Sequence, residues 1–119
     1  MVLVDTSAWI SHLRMGNTPL ARLLESDEVA CHPFIIGELA CGNLRNRSEI
    51  LSLLQSLPKS IEATHEEAMV FINNHSLMGK GIGYIDAHLL ASAALSGIPI
   101  WTFDKKLKRV SSRLRINCE

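Results

Sequence analysis

Apolar and polar positions alternate along this chain in blocks that switch between a strand-like and a helical rhythm. Val2, Leu3 and Val4 form an unbroken apolar run that stops at Asp5, the pattern of a short parallel strand buried on both faces. Asp5, Thr6 and Ser7 then offer polar caps to a helix carrying Trp9, Ile10 and Leu13, which Gly16 and Asn17 break. A second amphipathic segment over 18–26 buries Leu20, Leu23 and Leu24. Residues 29–31 read as another short strand. Pro33 suits the first turn of a helix that presents Ile35, Ile36, Leu39 and Ala40 and ends at Gly42 and Asn43.

Helical spacing returns at Ile50, Leu51, Leu53, Leu54 and Leu57 until Pro58 stops it. Residues 61–63 are expected to form a strand. Thr64 and Glu67 have the spacing of a capping box, and the helix they open is expected to bury Ala68, Val70, Phe71 and Ile72. Glycines at 79, 81 and 83 make a loop before the most regular helix, Tyr84–Ser96, which Gly97 closes. Residues 98–102 read as a buried strand, 104–110 as a short helix and 114–116 as a last strand. This alternation predicts an α/β fold: one domain over 1–119, with a short central parallel sheet flanked by helices on both faces.

Composition changes this picture little. A chain of 119 residues with 47% hydrophobic positions suits a single domain with a real core. No apolar run approaches the roughly 18 residues of a membrane span, so no membrane association is expected. The opening MVLVDTS lacks the basic and apolar regions of a signal peptide, so a cytoplasmic location is expected. Cys31, Cys41 and Cys118 are odd in number and form no CxxC pair, which favours reduced thiols, at least two of them in apolar surroundings.

Charge matters through its distribution. Twelve Lys and Arg balance twelve Asp and Glu, yet six of the basic residues fall between positions 105 and 115 with no acid among them. That segment is either a solvated helix face or a nucleic-acid contact.

The candidate chemistry lies in four carboxylates. Asp5 follows the first strand directly, and Asp104 follows the strand at 98–102 after one residue. Asp86 stands in the first turn of the helix behind the glycine loop, and Glu38 one turn into the helix after Pro33. Ligands of open parallel sheets bind beyond the carboxyl ends of the strands, where three of these acids are expected. Each also has a structural alternative: a helix cap for Asp5 and Asp104, a favourable charge at a helix N-terminus for Asp86, and a buried ion pair with an arginine for Glu38. The apolar neighbours of Glu38 and Asp86 make either one costly to bury unless it is paired or ligates a cation. An all-carboxylate set favours a hard ion, Mg²⁺ or Mn²⁺, over zinc, and such a site suits phosphodiester hydrolysis by in-line attack of an activated water. Thr6, Ser7 and Thr102 lie close enough to position waters or phosphate oxygens, or to act only as caps.

The segments VLVDTSAWI, PFIIGELACG, GIGYIDAHLLASA and WTFDKKL, in this order, resemble a PIN domain, and more narrowly the VapC toxins of bacterial type II toxin–antitoxin pairs. The resemblance spans essentially the whole chain and is weakest over 45–82. It implies that Asp5, Glu38, Asp86 and Asp104 are the catalytic, metal-binding acids, with Asp104 the one acting at second hand. Thr102 matches the hydroxyl residue two positions before the last acid. The implied activity is Mg²⁺- or Mn²⁺-dependent cleavage of RNA. The implied partners are a cognate antitoxin that covers the site, a second copy in a homodimer, and operator DNA reached only through the antitoxin. His88 departs from the family pattern, and a core or interface histidine is the favoured reading.

Three rivals follow from the same residues. A receiver-type signalling domain needs adjacent acids after the first strand and a phosphorylatable Asp after a central one, yet no Asp occurs between Asp27 and Asp86. A 5′-nuclease-like enzyme needs more acids and further elements to grip a duplex. A non-catalytic PIN-fold partner of an antitoxin, in an operator-binding repressor complex, would be favoured by loss of an acid, and none is lost.

Overall fold

The computed structural model describes residues 1–118. A three-stranded parallel sheet, in the order β2-β1-β3, lies at the centre, built from β1 (Val2–Val4), β2 (Val29–Ala30) and β3 (Ile100–Trp101). Two isolated parallel bridges widen it: Cys31 pairs with Lys59 beside β2, and Ile100 pairs with Asn117 beside β3. Across the sheet the chain therefore steps outward from β1 to β2 to Lys59. It then jumps back over β1 to β3, and out again to Asn117.

That reversal of direction organises the helices. The outward steps carry α1 (Thr6–Met15), α2 (Thr18–Glu25), α3 (Pro33–Ala40) and α4 (Arg47–Ser56), and the return carries α5 (His65–Asn74), α6 (Tyr84–Ser96) and α7 (Lys105–Arg113). Right-handed crossovers made in opposite directions put these two groups on opposite faces. In agreement, α3 packs on α1 and α4, while α5 packs on α6 and α6 on β3. Leu3, Val4, Leu89, Leu90, Ile100 and Leu107 are among the fully buried side chains that join both layers to the sheet. The gap between β1 and β3 is the switch point, where open α/β sheets keep their ligand crevice.

Most expected elements are present, and three differ for identifiable reasons. Residues 61–63 run extended but join no strand, because their amides find another partner. Ile61 and Ala63 donate to the hydroxyls of Ser96 and Ser92, one helical turn apart on α6. Two residues of extended chain rise about 6.7 Å and four of helix about 6 Å, so the two spacings match. The last pairing segment is centred on Asn117 rather than on 114–116, since Arg115 adopts φ 61° and cannot extend a strand. Pairing begins only where the Ile116 carbonyl accepts from Ile100 and Cys118 donates back to Ile100. Val70 does not face the core; it is 56% exposed, and α5 buries Ala68 instead.

The capping signals appear as expected. Thr64 and Glu67 form the reciprocal capping box. At Gly97 (φ 66°) α6 ends with the Ile98 amide donating to the Ala93 carbonyl, the six-to-one bond of a Schellman turn. Cys31 is a buried free thiol and Cys41 an exposed one, while Cys118 packs against the core.

Candidate functional site

Asp5 ends β1 with its backbone amide donating to the Trp101 carbonyl, so the central strand and its neighbour fix its position from both sides. Only 5% of its surface is exposed. It stands at the N-cap position of α1 but makes no side-chain cap bond, so capping does not account for it. Its Oδ2 instead accepts from the Thr102 hydroxyl at 2.6 Å and from the Ser7 hydroxyl at 2.9 Å. Both hydroxyls are aimed by backbone amides: Asp104 N–H donates to Thr102 Oγ1 and Phe103 N–H to Ser7 Oγ. Each hydroxyl has one proton, and both protons go to Oδ2. The 3.1 Å contact between Ser7 and Thr102 is thus a consequence of sharing that oxygen. Oδ1 takes neither hydroxyl.

The other three acids stand on separate elements. Glu38, on α3, accepts from the Thr6 hydroxyl of α1 at 2.8 Å. Its side chain is exposed, which removes the buried ion pair as an explanation and also the cost of burial that the sequence suggests. Asp104 does cap α7, its Oδ1 accepting from the Leu107 amide at 2.9 Å, and its side chain is otherwise exposed. Asp86, in the first turn of α6, takes a long 3.4 Å contact from the Gly83 amide.

Asp86 reports on the assembly. Burial pushes its carboxyl above the usual carboxylate range, the Gly83 amide pulls it back, and the charges of Asp5, Asp104 and Glu38 push it up further. No lysine or arginine figures among those influences. The four acids, distant in sequence, therefore share one field. Among the described residues no three His, Cys, Asp or Glu side chains converge closely enough to enclose a cation as they stand.

The hydroxyls of Thr6, Ser7 and Thr102 each donate to a carboxylate, Thr6 to Glu38 and the other two to Asp5. His88 is buried, in keeping with a core histidine. All six basic residues between 105 and 115 are exposed, while Leu107 and Val110 hold α7 against the core. Arg14 and Arg45 are not singled out by the sequence pattern. With Ile10, Leu13, Leu44 and Ile50 they line a groove of about 560 Å³ that has Glu38 on its wall.

Comparison with known proteins bears on the family and the fold. The PIN domain family matches residues 2–112. Ribonuclease VapC32 of Mycobacterium tuberculosis, from strains CDC 1551 / Oshkosh and ATCC 25618 / H37Rv, is 46% identical over 109 residues, covering 91% of this chain and 88% of the relative. The crystal structure of PAE2754 from Pyrobaculum aerophilum shares the fold at 19% identity with a TM-score of 0.62, covering 92% of this chain and 78% of the other.

Proposed function

This chain belongs to the PIN-domain family, as a relative of the VapC ribonucleases, and from that premise we propose that it is an endoribonuclease hydrolysing RNA phosphodiester bonds with Mg²⁺ or Mn²⁺. The observation that carries the reading is the placing of the acids: Asp5 is held at the end of the central strand by Ser7 and Thr102, Glu38 by Thr6, and Asp104 at the start of α7, and burial together with the charges of these three raises the carboxyl of Asp86. Like charges gathered at a sheet's switch point oppose folding unless a ligand compensates them. The donor set fits a hard divalent cation, being all oxygen with no thiolate or imidazole directed at it. Glu38 and Asp104 are exposed, so their carboxylates are open to a cation arriving from solvent. A cation held there supplies charge for a phosphate oxygen and lowers the pKa of a water.

The chain's own residues do the rest. Ser7 and Thr102 hold Asp5 in one orientation, and Thr6 steadies Glu38. Asp104 is anchored through Oδ1 to the Leu107 amide. The exposed cations of α7 begin directly after Asp104, so an RNA backbone on that face is led to the acids.

We further infer that the chain acts as the toxin of a toxin–antitoxin pair, with a homodimer and a cognate antitoxin, which alone reaches operator DNA, as its assemblies. Among the described residues no helix is long and apolar enough to cross a membrane. Purified protein freed of any partner is expected to cut RNA with Mg²⁺ or Mn²⁺ and to stop on adding EDTA. Cleavage that survives chelation refutes the metal mechanism. Full cleavage by Asp5→Asn or Asp86→Asn removes those residues from the site.

A further inference from the structure

Of the chain's six aromatic side chains, three are exposed: Phe34 at 36%, Tyr84 at 45% and Phe103 at 45%. Each stands within four residues of one of the acids. Phe34 lies one turn before Glu38 on the same face of α3, Tyr84 shares the first turn of α6 with Asp86, and Phe103 adjoins Asp104. Phe34 and Tyr84 are also linked to each other. Both set their rings edge-to-face on buried His88, at centroid distances of 5.0 and 4.5 Å.

Tyr84 is held with unusual firmness for an exposed ring. Its hydroxyl lies 2.6 Å from His88 Nε2 and 2.6 Å from His65 Nδ1. A phenol has one proton to give, so at least one of the two imidazoles must donate to it. Phe34 is fixed from the other side, its backbone amide donating to His32 Nδ1 and its ring edge-on to the His32 ring. The catalytic scheme uses none of these groups. A rigid pair of exposed rings beside an acidic crevice is what stacks an unpaired base, since every base has a π-face and a fixed ring loses little entropy on binding.

We propose that Phe34 and Tyr84 form a subsite that stacks an unpaired nucleobase of the RNA next to the phosphate to be cut, with His65 and His88 as the residues that position Tyr84. This rests on the ribonuclease reading and adds to it where along the strand the enzyme takes its grip. The exposed cations of α7 favour a nucleic acid over a protein side chain as the occupant.

The test is a binding cycle in an Asp5→Asn background, which is expected to block cutting, using a fluorescently labelled single-stranded oligoribonucleotide and its abasic versions. Phe34→Leu and Tyr84→Leu should each weaken binding roughly 5- to 150-fold. One abasic position should cost the parent a similar factor, yet cost the two variants less than about twofold, because the ring it would have met is gone. Tyr84→Leu also frees two histidines and risks misfolding; Phe34→Leu leaves that hydrogen-bonded chain intact and carries the test alone if needed. Losses that multiply independently at every abasic position overturn the subsite, as does unchanged RNA affinity with weakened binding of a protein partner. If stacking is found but wild-type protein cuts no RNA with Mg²⁺ or Mn²⁺, the nuclease reading fails and the subsite stands. If cutting is intact but the cycle is additive, only the subsite fails.

Discussion

Thr102→Val isolates the hydroxyl at the centre of the site. Valine keeps the shape of threonine in a position that is 3% exposed, so packing is held constant. What is lost is the 2.6 Å hydrogen bond to Asp5 Oδ2 and the acceptor for the Asp104 amide. A hydrogen bond to a charged acceptor contributes about 1.5–3 kcal/mol, and an orphaned amide that water can partly reach costs about 1 kcal/mol more. The expected loss is therefore about 2–4 kcal/mol, a large part of a typical total of about 5–15 kcal/mol. Equilibrium unfolding in urea at neutral pH should show it as a midpoint lowered by about 1–2 M. Thr102→Ser is the control: it keeps the hydroxyl, loses one buried methyl, and should cost only about 1 kcal/mol. A valine variant as stable as the serine variant, or within about 0.5 kcal/mol of wild type, would falsify the network. Because the same hydroxyl orients Asp5, the valine variant should also lose about 10- to 100-fold in cleavage or metal affinity.

Two further outcomes follow from the acids and their loop. Asp86 has its pKa raised in the folded state, so the fold binds more protons than the unfolded chain between the ordinary aspartate value and the raised one, and stability falls as pH rises through that window. Asp86→Asn should therefore raise the metal-free melting temperature by on the order of a few degrees at neutral pH, with the gain shrinking as pH falls through the window and vanishing below it; calorimetry across pH that finds a loss at neutral pH would assign Asp86 to helix capping. Gly81 holds φ +82°, and a Cβ there would stand 2.7 Å from Lys106 Cδ, the far part of a flexible side chain. Gly81→Ala should cost about 1–2 kcal/mol from backbone strain, and adding Lys106→Ala should recover little of it in thermal unfolding; full recovery would mean that the clash, and not the backbone, sets the cost.

The four acids were legible in the sequence because each follows a signal that local physics writes clearly: the end of an apolar strand, a glycine loop, or a proline-started helix. The capping box at Thr64 and the glycine stop at Gly97 were legible for the same reason. Tertiary choices were not. Residues 61–63 have the composition of a strand, and only the serine column of α6 diverts their amides. The apolar neighbours of Glu38 suggest burial, yet they face the core while Glu38 turns outward to Thr6. At Asp104 the capping alternative is the one the structure shows, with Oδ1 accepting from the Leu107 amide. The ring cluster around His88 escaped because its members come from α3, α5 and α6 and share no sequence spacing.

The order of strands across the sheet bears on when this protein becomes active. β1 is made first and sits in the middle, but the neighbour that fixes Asp5 from the other side is β3, and Thr102 comes with it. While a chain is being made from its N-terminus, Asp5, Glu38 and Asp86 can all have emerged before the strand that sets the first of them in place. A partly made chain therefore carries three of the acids with Asp5 lacking one of its two orienting hydroxyls, and it holds no assembled crevice. The geometry around Asp5 is thus completed only when β3 joins β1, after the elements that carry the other two acids have been made.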